Sequence, residues 1–528
     1  MTHDQVKKTV VKNVLTSYLR IVVRMVLGLV TFRLLYQGLT PEQFGFWSLL
    51  WAVFAYGILL DFGFGYSAQK RVAELSVKQD WAELSRVLST IFFFYFIIAG
   101  LAVPLVMFFS KPLIVFFKVS VEHREEYRHV MMVFLAGIGI AFPFGIFTEV
   151  LQGQQRSAAW NNVIIFGSIA NFIAVALAVF LHWGFMALVI LSLLCFLVPY
   201  FVAAHMALKS MPGVKIRPSL FSRRSIVETS RFSLYAYANT LGNVLRNKTD
   251  QPVISTILGV AEVTPYQAGS KVGEMFGMFT RQIGDVLSPT AAHLHAKGEA
   301  KALREMMLNG MRFSILAATP LCILTMFYMD GLIRLLTGLK QPTAPMLWAG
   351  ELLVFWYYSL ALTHSVVKNM FMMSGQEKKM MLQGVSEAAL NLLLSIGLTL
   401  WLKHAFGTEW GILGVALGSV IPTFIFGWGY LWGWAAHAAQ LTRWQLFRRV
   451  VFPAVRGCLP MIGVALVLRL QPFWASGHNT FLMVAESSAV ATAGAFGVWR
   501  IGLMEIEREK LIAKFGGKFG FKPKTKAS

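Results

Sequence analysis

Residues 87–109 read VLSTIFFFYFIIAGLAVPLVMFF, 23 positions without one charged side chain. At about 1.5 Å per residue such a helix reaches roughly 35 Å, enough to cross a hydrocarbon layer of about 30 Å. Runs of the same kind recur along the chain. Six spans are read at 13–36, 43–66, 87–109, 129–150, 159–180 and 185–207. Six more follow at 232–258, 266–289, 307–329, 345–373, 381–402 and 411–437, and two at 453–470 and 480–503. The expected fold is an all-α polytopic membrane protein of about 14 transmembrane helices.

Composition agrees. Of 528 residues, 56% are hydrophobic and 14% charged, and the mean hydropathy is +0.59. A soluble domain carries about 25% charged residues, so a water-soluble enzyme of this length would lack polar surface. Disorder, a disulfide scaffold and a coiled coil fail on the same numbers. The three cysteines, Cys195, Cys322 and Cys458, lie in apolar segments without a CxxC spacing and read as small core residues. The first apolar run is interrupted by Arg20 and Arg24, so it is not read as a cleavable signal peptide.

Lys and Arg number 48 against 26 Asp and Glu, a formal charge of +22. Loops on the side of the amino terminus hold roughly four times as many basic residues as the opposite loops, which places both termini in the cytoplasm. The tail carries Lys510, Lys514, Lys518, Lys522, Lys524 and Lys526 and reads as a solvated segment near anionic headgroups.

The chain also repeats itself. Thr40-Pro41-Glu42-Gln43-Phe44-Gly45 is echoed by Thr264-Pro265-Tyr266-Gln267-Ala268-Gly269, and Asn13 with Arg20 by Asn239 with Arg246. Gly153-Gln154-Gln155-Arg156 returns as Gly375-Gln376-Glu377-Lys378. Two six-span copies entering the membrane in the same sense form a parallel repeat. The domain reading is a six-helix lobe over 1–208, a basic linker over 209–231 and a second six-helix lobe over 232–440. Two additional spans over 441–503 and a basic tail over 504–528 complete it.

No GxGxxG, P-loop, HExxH or GxSxG motif points to an enzyme, and no cofactor or metal is expected. His293 and His295 read as a solvated loop. The informative residues are charges inside apolar helices, since a charge at the bilayer centre is costly and marks a function or a partner. Arg20 and Arg24 share one helix face and Arg24 is too deep to snorkel easily. Arg246, Lys248 and Asp250 cluster in the seventh span. Lys271, Glu274, Met278 and Arg281 form one stripe of the eighth, and Lys368 lies late in the tenth. Two readings stay open for them. Pairs such as Arg246–Asp250 and Lys271–Glu274 glue helices together, or the surplus of cations over acids holds an anionic substrate. Asp61, in Leu59-Leu60-Asp61-Phe62-Gly63, either partners an arginine or titrates during transport, and Glu351 and His364 are equally ambiguous. Arg33, Arg312, Arg469 and Arg500, near span ends, are assigned to snorkelling or loop contacts, which makes Arg312→Ala nearly neutral.

The Asn13–Arg24 opening, Phe44-Gly45-Phe46-Trp47, Leu60-Asp61-Phe62-Gly63, Gly153-Gln154-Gln155-Arg156, Asp250 and Ser288-Pro289 carry a family resemblance. Over residues 10–440 the chain resembles the polysaccharide (O-antigen type) flippases of the MATE-like exporter superfamily. The resemblance implies a V-shaped pair of six-helix lobes and two extra carboxy-terminal helices. It implies movement of a polyprenyl-diphosphate-linked oligosaccharide across the bacterial cytoplasmic membrane, with H+ or Na+ coupling and contact with glycan polymerase or assembly machinery. Cavity cations for the diphosphate or acidic sugars would be Arg20, Arg24, Arg246, Lys248, Lys271, Arg281 and Lys368. Asp61, Asp250 and Glu274 are left for ion coupling or pairing. Rival readings are a lipid II-type peptidoglycan precursor flippase, a MATE-like multidrug exporter, and a scaffold or polymerase of glycan assembly. An exporter of cationic drugs should have an acidic cavity, and a polymerase a large outer loop rich in arginine.

The charge asymmetry makes a direct prediction. Single cysteines placed at Lys215 and Lys301 should be shielded from an impermeant thiol reagent outside intact cells, while one at Gly184 should react. The reverse labelling pattern overturns the orientation.

Overall fold

In a computed structural model of the chain, residues 3–223, 237, 240–373, 376–469, 480–505, 507–509 and 512 are described. Every regular element among them is helical. Among the described residues, eleven helices are long and apolar enough to cross a membrane. They coincide with the expected second to sixth and ninth to fourteenth spans. The first helix, His3–Gly38, and the eighth, Val263–Ala296, have the length, at 36 and 34 residues, but carry the charges singled out above. The seventh is described in part, from residue 240 to Ile257. Charge, rather than length, separates these helices from their apolar neighbours.

The chain divides into two compact units. The first comprises Met1–Gln267, Leu336–Gly338 and Gly384–Val415. The second comprises Ala268–Leu335, Leu339–Gln383 and Ala416–Ser528. The seventh span and most of the eleventh therefore assemble with the six amino-terminal spans.

In the first unit, buried Leu84, Leu88, Val150, Leu151, Ala203 and Ala207 form a core between the third, fourth and sixth spans. The repeated motifs touch one another here. Thr40 caps the helix Pro41–Tyr56 through a reciprocal capping box with Gln43. Its counterpart Thr264 donates its hydroxyl to the Pro41 carbonyl at 2.5 Å. A Cβ at Gly45 would run into the Val260 carbonyl, so glycine permits this close approach. On the same face Lys118 and Lys403 both donate to the Ile257 carbonyl, at 2.7 and 2.9 Å. Cations suit this helix end. Beside them, burial and then the charge of Glu409 push the Glu262 carboxyl above its ordinary value.

The other face of this unit explains the Gly153–Arg156 motif. Asn13 donates to the Gln155 carbonyl at 2.9 Å and accepts from the Ala158 N–H at 2.9 Å. Asn161 donates to Thr16 and Ser17 at 3.2 and 3.0 Å. Residues 140 positions apart or more in sequence thereby lock the first helix to the fifth span.

In the second unit a core of Met311, Ile315, Leu362, Val367, Leu431 and Ala435 joins the ninth, tenth and twelfth spans. Tyr328, Met461, Ala465 and Val490 join the ninth to the last two. Here the structure corrects the reading of Arg312. The residue is only 4% exposed. Its Nη2 donates to the Gly502 carbonyl at 2.9 Å and its Nη1 to the Arg449 carbonyl at 3.2 Å. Nε lies 3.0 Å from Glu507 Oε1. Position near a span end does not reveal that two later spans close over the guanidinium.

Arg312→Ala should therefore cost about 3 kcal/mol, the range for breaking a buried ion pair by removing one partner. It should lower the melting temperature in detergent well beyond that of an exposed control such as Lys78→Ala. A second prediction concerns pH. The raised carboxyl value of Glu262 means that its share of stability is complete below the unfolded carboxyl value and is lost as pH rises through the raised one. Glu262→Gln should melt higher than wild type at neutral pH and converge with it near pH 4, as read from melting curves across that range.

Candidate functional site

The first helix sorts its side chains by face. Leu15, Leu19, Val22, Val26 and Val30 are exposed and fall on one stripe at roughly 100° per residue, which suits lipid. Asn13, Ser17, Arg20 and Arg24 make a second stripe on the opposite side. Arg20 is half-buried and Arg24 exposed. No carboxylate pairs with either among the described residues. The exposure of Arg24 is thus on the face turned away from the apolar stripe.

The seventh span is interrupted at Thr249, and a new helix begins at Asp250. Its first-turn carboxylate suits the positive end of that helix. Asp250 is buried and accepts from the Tyr266 hydroxyl, while Thr249 bonds the Tyr56 hydroxyl at 2.9 Å. One turn before the break, Arg246 does not use Asp250. Its Nη1 lies 3.5 Å from Glu387 Oε2, with side chains 12% and 1% exposed. Nη2 donates to Asn243 Oδ1 at 3.4 Å, and Nε is buried without a partner. Lys248 is half-buried and no acid pairs with it among the described residues.

Glu387 belongs to the eleventh span, Glu377–Phe406. It opens onto a file of buried polar residues one turn apart, Asn391, Ser395 and Thr399, and Gln383 precedes it at the same spacing. The hydroxyls of Ser395 and Thr399 are buried without a partner. The eleventh span is held tightly on both sides. A Cβ at Gly242 would meet Gly384 C at 3.2 Å, and one at Gly414 would run into the backbone of Thr399. Glu387 escaped notice because the charges weighed from sequence lay in the first, second, seventh, eighth and tenth spans. The signal was present in the four-residue spacing of Gln383, Glu387, Asn391, Ser395 and Thr399.

Asp61 stands at another helix break. A 3-10 turn, Gly57–Asp61, ends the second span, and Phe62 and Gly63 follow at φ 48° and 79°. Asp61 accepts from the Tyr95 hydroxyl and from the Gly65 N–H, the latter at 3.0 Å. No arginine takes it among the described residues. A second carboxylate, Glu149, flanks it. A Cβ at Gly65 would lie 3.4 Å from Asp61 Oδ2 and 3.4 Å from Glu149 Cγ. Nothing in the sequence joins residues 61 and 149.

In the second unit, Lys271 pairs with Glu274 at 3.1 Å, both side chains partly exposed. Arg281 lies on the same helix, with its side chain outside the described residues. Lys368 is half-buried. The tenth and twelfth spans each loosen into a π-helical turn, Ala361–Ser365 and Ile425–Leu431. The two meet where a Cβ at Gly427 would lie 2.5 Å from Thr363 Oγ1 and 3.3 Å from His364 Cε1. His364 is buried and its Nδ1 bonds the Thr363 hydroxyl at 2.8 Å. Among the described residues no group of acids, histidines and cysteines could hold a metal ion.

The fold is shared with transporters of the MOP superfamily. An inward-facing multidrug resistance MATE family transporter aligns with a TM-score of 0.67 at 16% identity, over 79% of this chain and 96% of its own. The lipid II flippase MurJ aligns with 0.69 at 14%, over 92% and 99%. A MOP superfamily transporter from Pyrococcus furiosus, described as having a binding pocket of reversed polarity, aligns with 0.56 at 16%, over 83% of this chain and 97% of its own. No curated protein sequence matches the chain significantly. The family model of polysaccharide biosynthesis proteins matches residues 33–341, and the chain belongs to that family.

Proposed function

We propose that the chain is a flippase that moves a polyprenyl-diphosphate-linked oligosaccharide across the bacterial cytoplasmic membrane by alternating access. It acts as a transporter and not as an enzyme. The observation that carries this reading is the presence of Arg20, Arg24 and Lys248 inside helices of the first unit without a paired acid among the described residues. Cations kept in that state are unfavourable unless an anion completes them. Membership of the polysaccharide biosynthesis family supplies the substrate class, and a diphosphate linked to a glycan is an anion of that class.

The reading takes all fourteen spans as crossing the membrane, with both termini cytoplasmic. Residues 1–208 and 232–440 act as two lobes joined by 209–231, followed by 441–503 and the basic tail 504–528. The diphosphate is held by Arg20, Arg24, Arg246 and Lys248, with Lys271, Arg281 and Lys368 assisting along the path. Asp61, Asp250 and Glu274 remain the candidates named by sequence for H+ or Na+ coupling, and glycan assembly machinery is the expected protein partner. The lipid II flippase among the structural relatives favours one second reading, a peptidoglycan precursor as cargo, which the same cations would hold.

The decisive test uses liposomes loaded with defined polyprenyl-diphosphate glycans. A charge-assisted hydrogen bond to a phosphate contributes about 1.5–3 kcal/mol. Arg24→Ala should accordingly slow translocation about tenfold or more while leaving the melting temperature unchanged, since Arg24 is exposed. Arg24→Lys should recover part of the rate, because charge survives without the bidentate fork. Wild-type rates in Arg24→Ala would sink the anionic-cavity reading.

A further inference from the structure

Two lysines from distant parts of the first unit converge on one backbone oxygen. Lys118 donates to the Ile257 carbonyl at 2.7 Å, and Lys403 donates to the same atom at 2.9 Å. The two ammoniums therefore stand within about 6 Å of each other, where like charges repel. Capping the end of the helix Asp250–Ile257 needs one cation at most. The second adds repulsion, and burial and then the charge of Lys403 hold the Lys118 ammonium below its ordinary value.

The backbone would favour another residue at position 118. Lys118 follows the helix Ser110–Phe116, and its N–H bonds the Val115 carbonyl at 3.0 Å while that of Val119 bonds the Ile114 carbonyl at 3.2 Å. In this helix ending a left-handed residue, usually glycine, follows the last turn, and Lys118 occupies the place at φ 52°. A residue with a Cβ pays energy there, so the ammonium accounts for the lysine.

No acid pairs with either lysine among the described residues. Glu42 is taken by the Ser120 N–H and hydroxyl, at 2.7 and 2.9 Å. Glu262 is repelled by Glu409, and neither reaches a lysine at ion-pair distance. Each ammonium keeps further N–H donors beyond the one that the carbonyl takes.

The surroundings are apolar and open. Phe116 beside Lys118, and Trp401 and Phe406 on either side of Lys403, are exposed. Lys403 lies in the last turn of the helix Glu377–Phe406, and Lys118 lies between the third and fourth spans. Exposed aromatic rings beside lysines at span ends are the pattern of a bilayer interface. The loops of this side are also the ones poor in basic residues, so orientation in the membrane does not call for a lysine pair here.

We propose that Lys118 and Lys403 form a binding site for the phosphate of an anionic phospholipid, with the rings of Phe116, Trp401 and Phe406 against its acyl chains. The phosphate oxygens accept the donors that the carbonyl leaves over, and the negative charge relieves the repulsion between the ammoniums. A lipid held there ties the connection at Lys118 and the end of the eleventh span to the end of the helix Asp250–Ile257. It uses none of the cations assigned to the cargo.

Native mass spectrometry of the full chain in detergent, titrated with phosphatidylglycerol or phosphatidylcholine, counts bound lipids and ranks their affinities. The wild type should hold phosphatidylglycerol about tenfold or more tighter than phosphatidylcholine, since each lysine near an anionic headgroup contributes about fivefold. Lys118→Gln combined with Lys403→Gln should lose that preference. Lys111→Gln, which removes an exposed lysine of the same connection, should keep it. An unchanged preference in the double variant overturns the site, as does a wild type that does not distinguish the two lipids. Loss of the preference in Lys111→Gln as well replaces the site by diffuse attraction and overturns it. Binding of inorganic phosphate or farnesyl diphosphate without any binding of phosphatidylglycerol overturns the phospholipid as occupant. Should the double variant fail to fold, Lys118→Gln leaves Lys403 on the Ile257 carbonyl. Its preference should then fall about fivefold, and a wild-type preference in that variant overturns the site.

Discussion

An unanswered charge in hydrocarbon is the constraint on which this architecture depends. Eleven helices meet it by carrying almost no charge through their spanning windows. The first, seventh and eighth helices do not, and the structure treats each charge they carry differently. Arg24 is exposed on the side away from the lipid-facing stripe, Arg246 is held by an acid from the eleventh span, and Lys271 is answered locally by Glu274. The electrostatic arrangement therefore decides which helices surround which. Apolar contact alone would accept many arrangements, because lipid tails compete for apolar surface as well as another helix does.

Broken helices follow from the same constraint. The second span yields at Gly57–Asp61 and the seventh at Thr249, and an aspartate stands at each break. At such a place backbone N–H groups are released from the helical ladder and can serve a carboxylate, as Gly65 serves Asp61. Tyrosine hydroxyls from other helices complete the set, Tyr95 for Asp61 and Tyr266 for Asp250. Neutral donors reach both acids, and Arg246, the neighbour that sequence spacing offered to Asp250, turns to Glu387 instead.

What the sequence disclosed is what depends on composition and period. The run at 87–109 is the helix Trp81–Phe108, and the echo of Thr40-Pro41 in Thr264-Pro265 is a physical contact. Partners far apart in the chain were not legible. Glu387 lies 141 positions from Arg246, and Glu507 lies 195 from Arg312. Proximity to a span end made Arg312 look like a snorkelling residue, yet its two Nη groups donate to the Arg449 and Gly502 carbonyls and to the Glu507 carboxylate. An i, i+4 rule sees only one helix, and both of these pairings cross between helices.

The repeat sharpens the meaning of the Arg246–Glu387 pair. Arg20 and Arg246 occupy equivalent places in the two copies, and after the Gly153 and Gly375 echoes the copies run at an offset of 222. At that offset Gln383 falls on Asn161, and both are buried amides. Glu387 falls on Ile165. One copy thus leaves its arginine without an acid among the described residues, and the other sets a carboxylate at the position where the first has an aliphatic side chain. An internal echo in sequence thus fixes where a charge stands in each copy, but not which helix answers it.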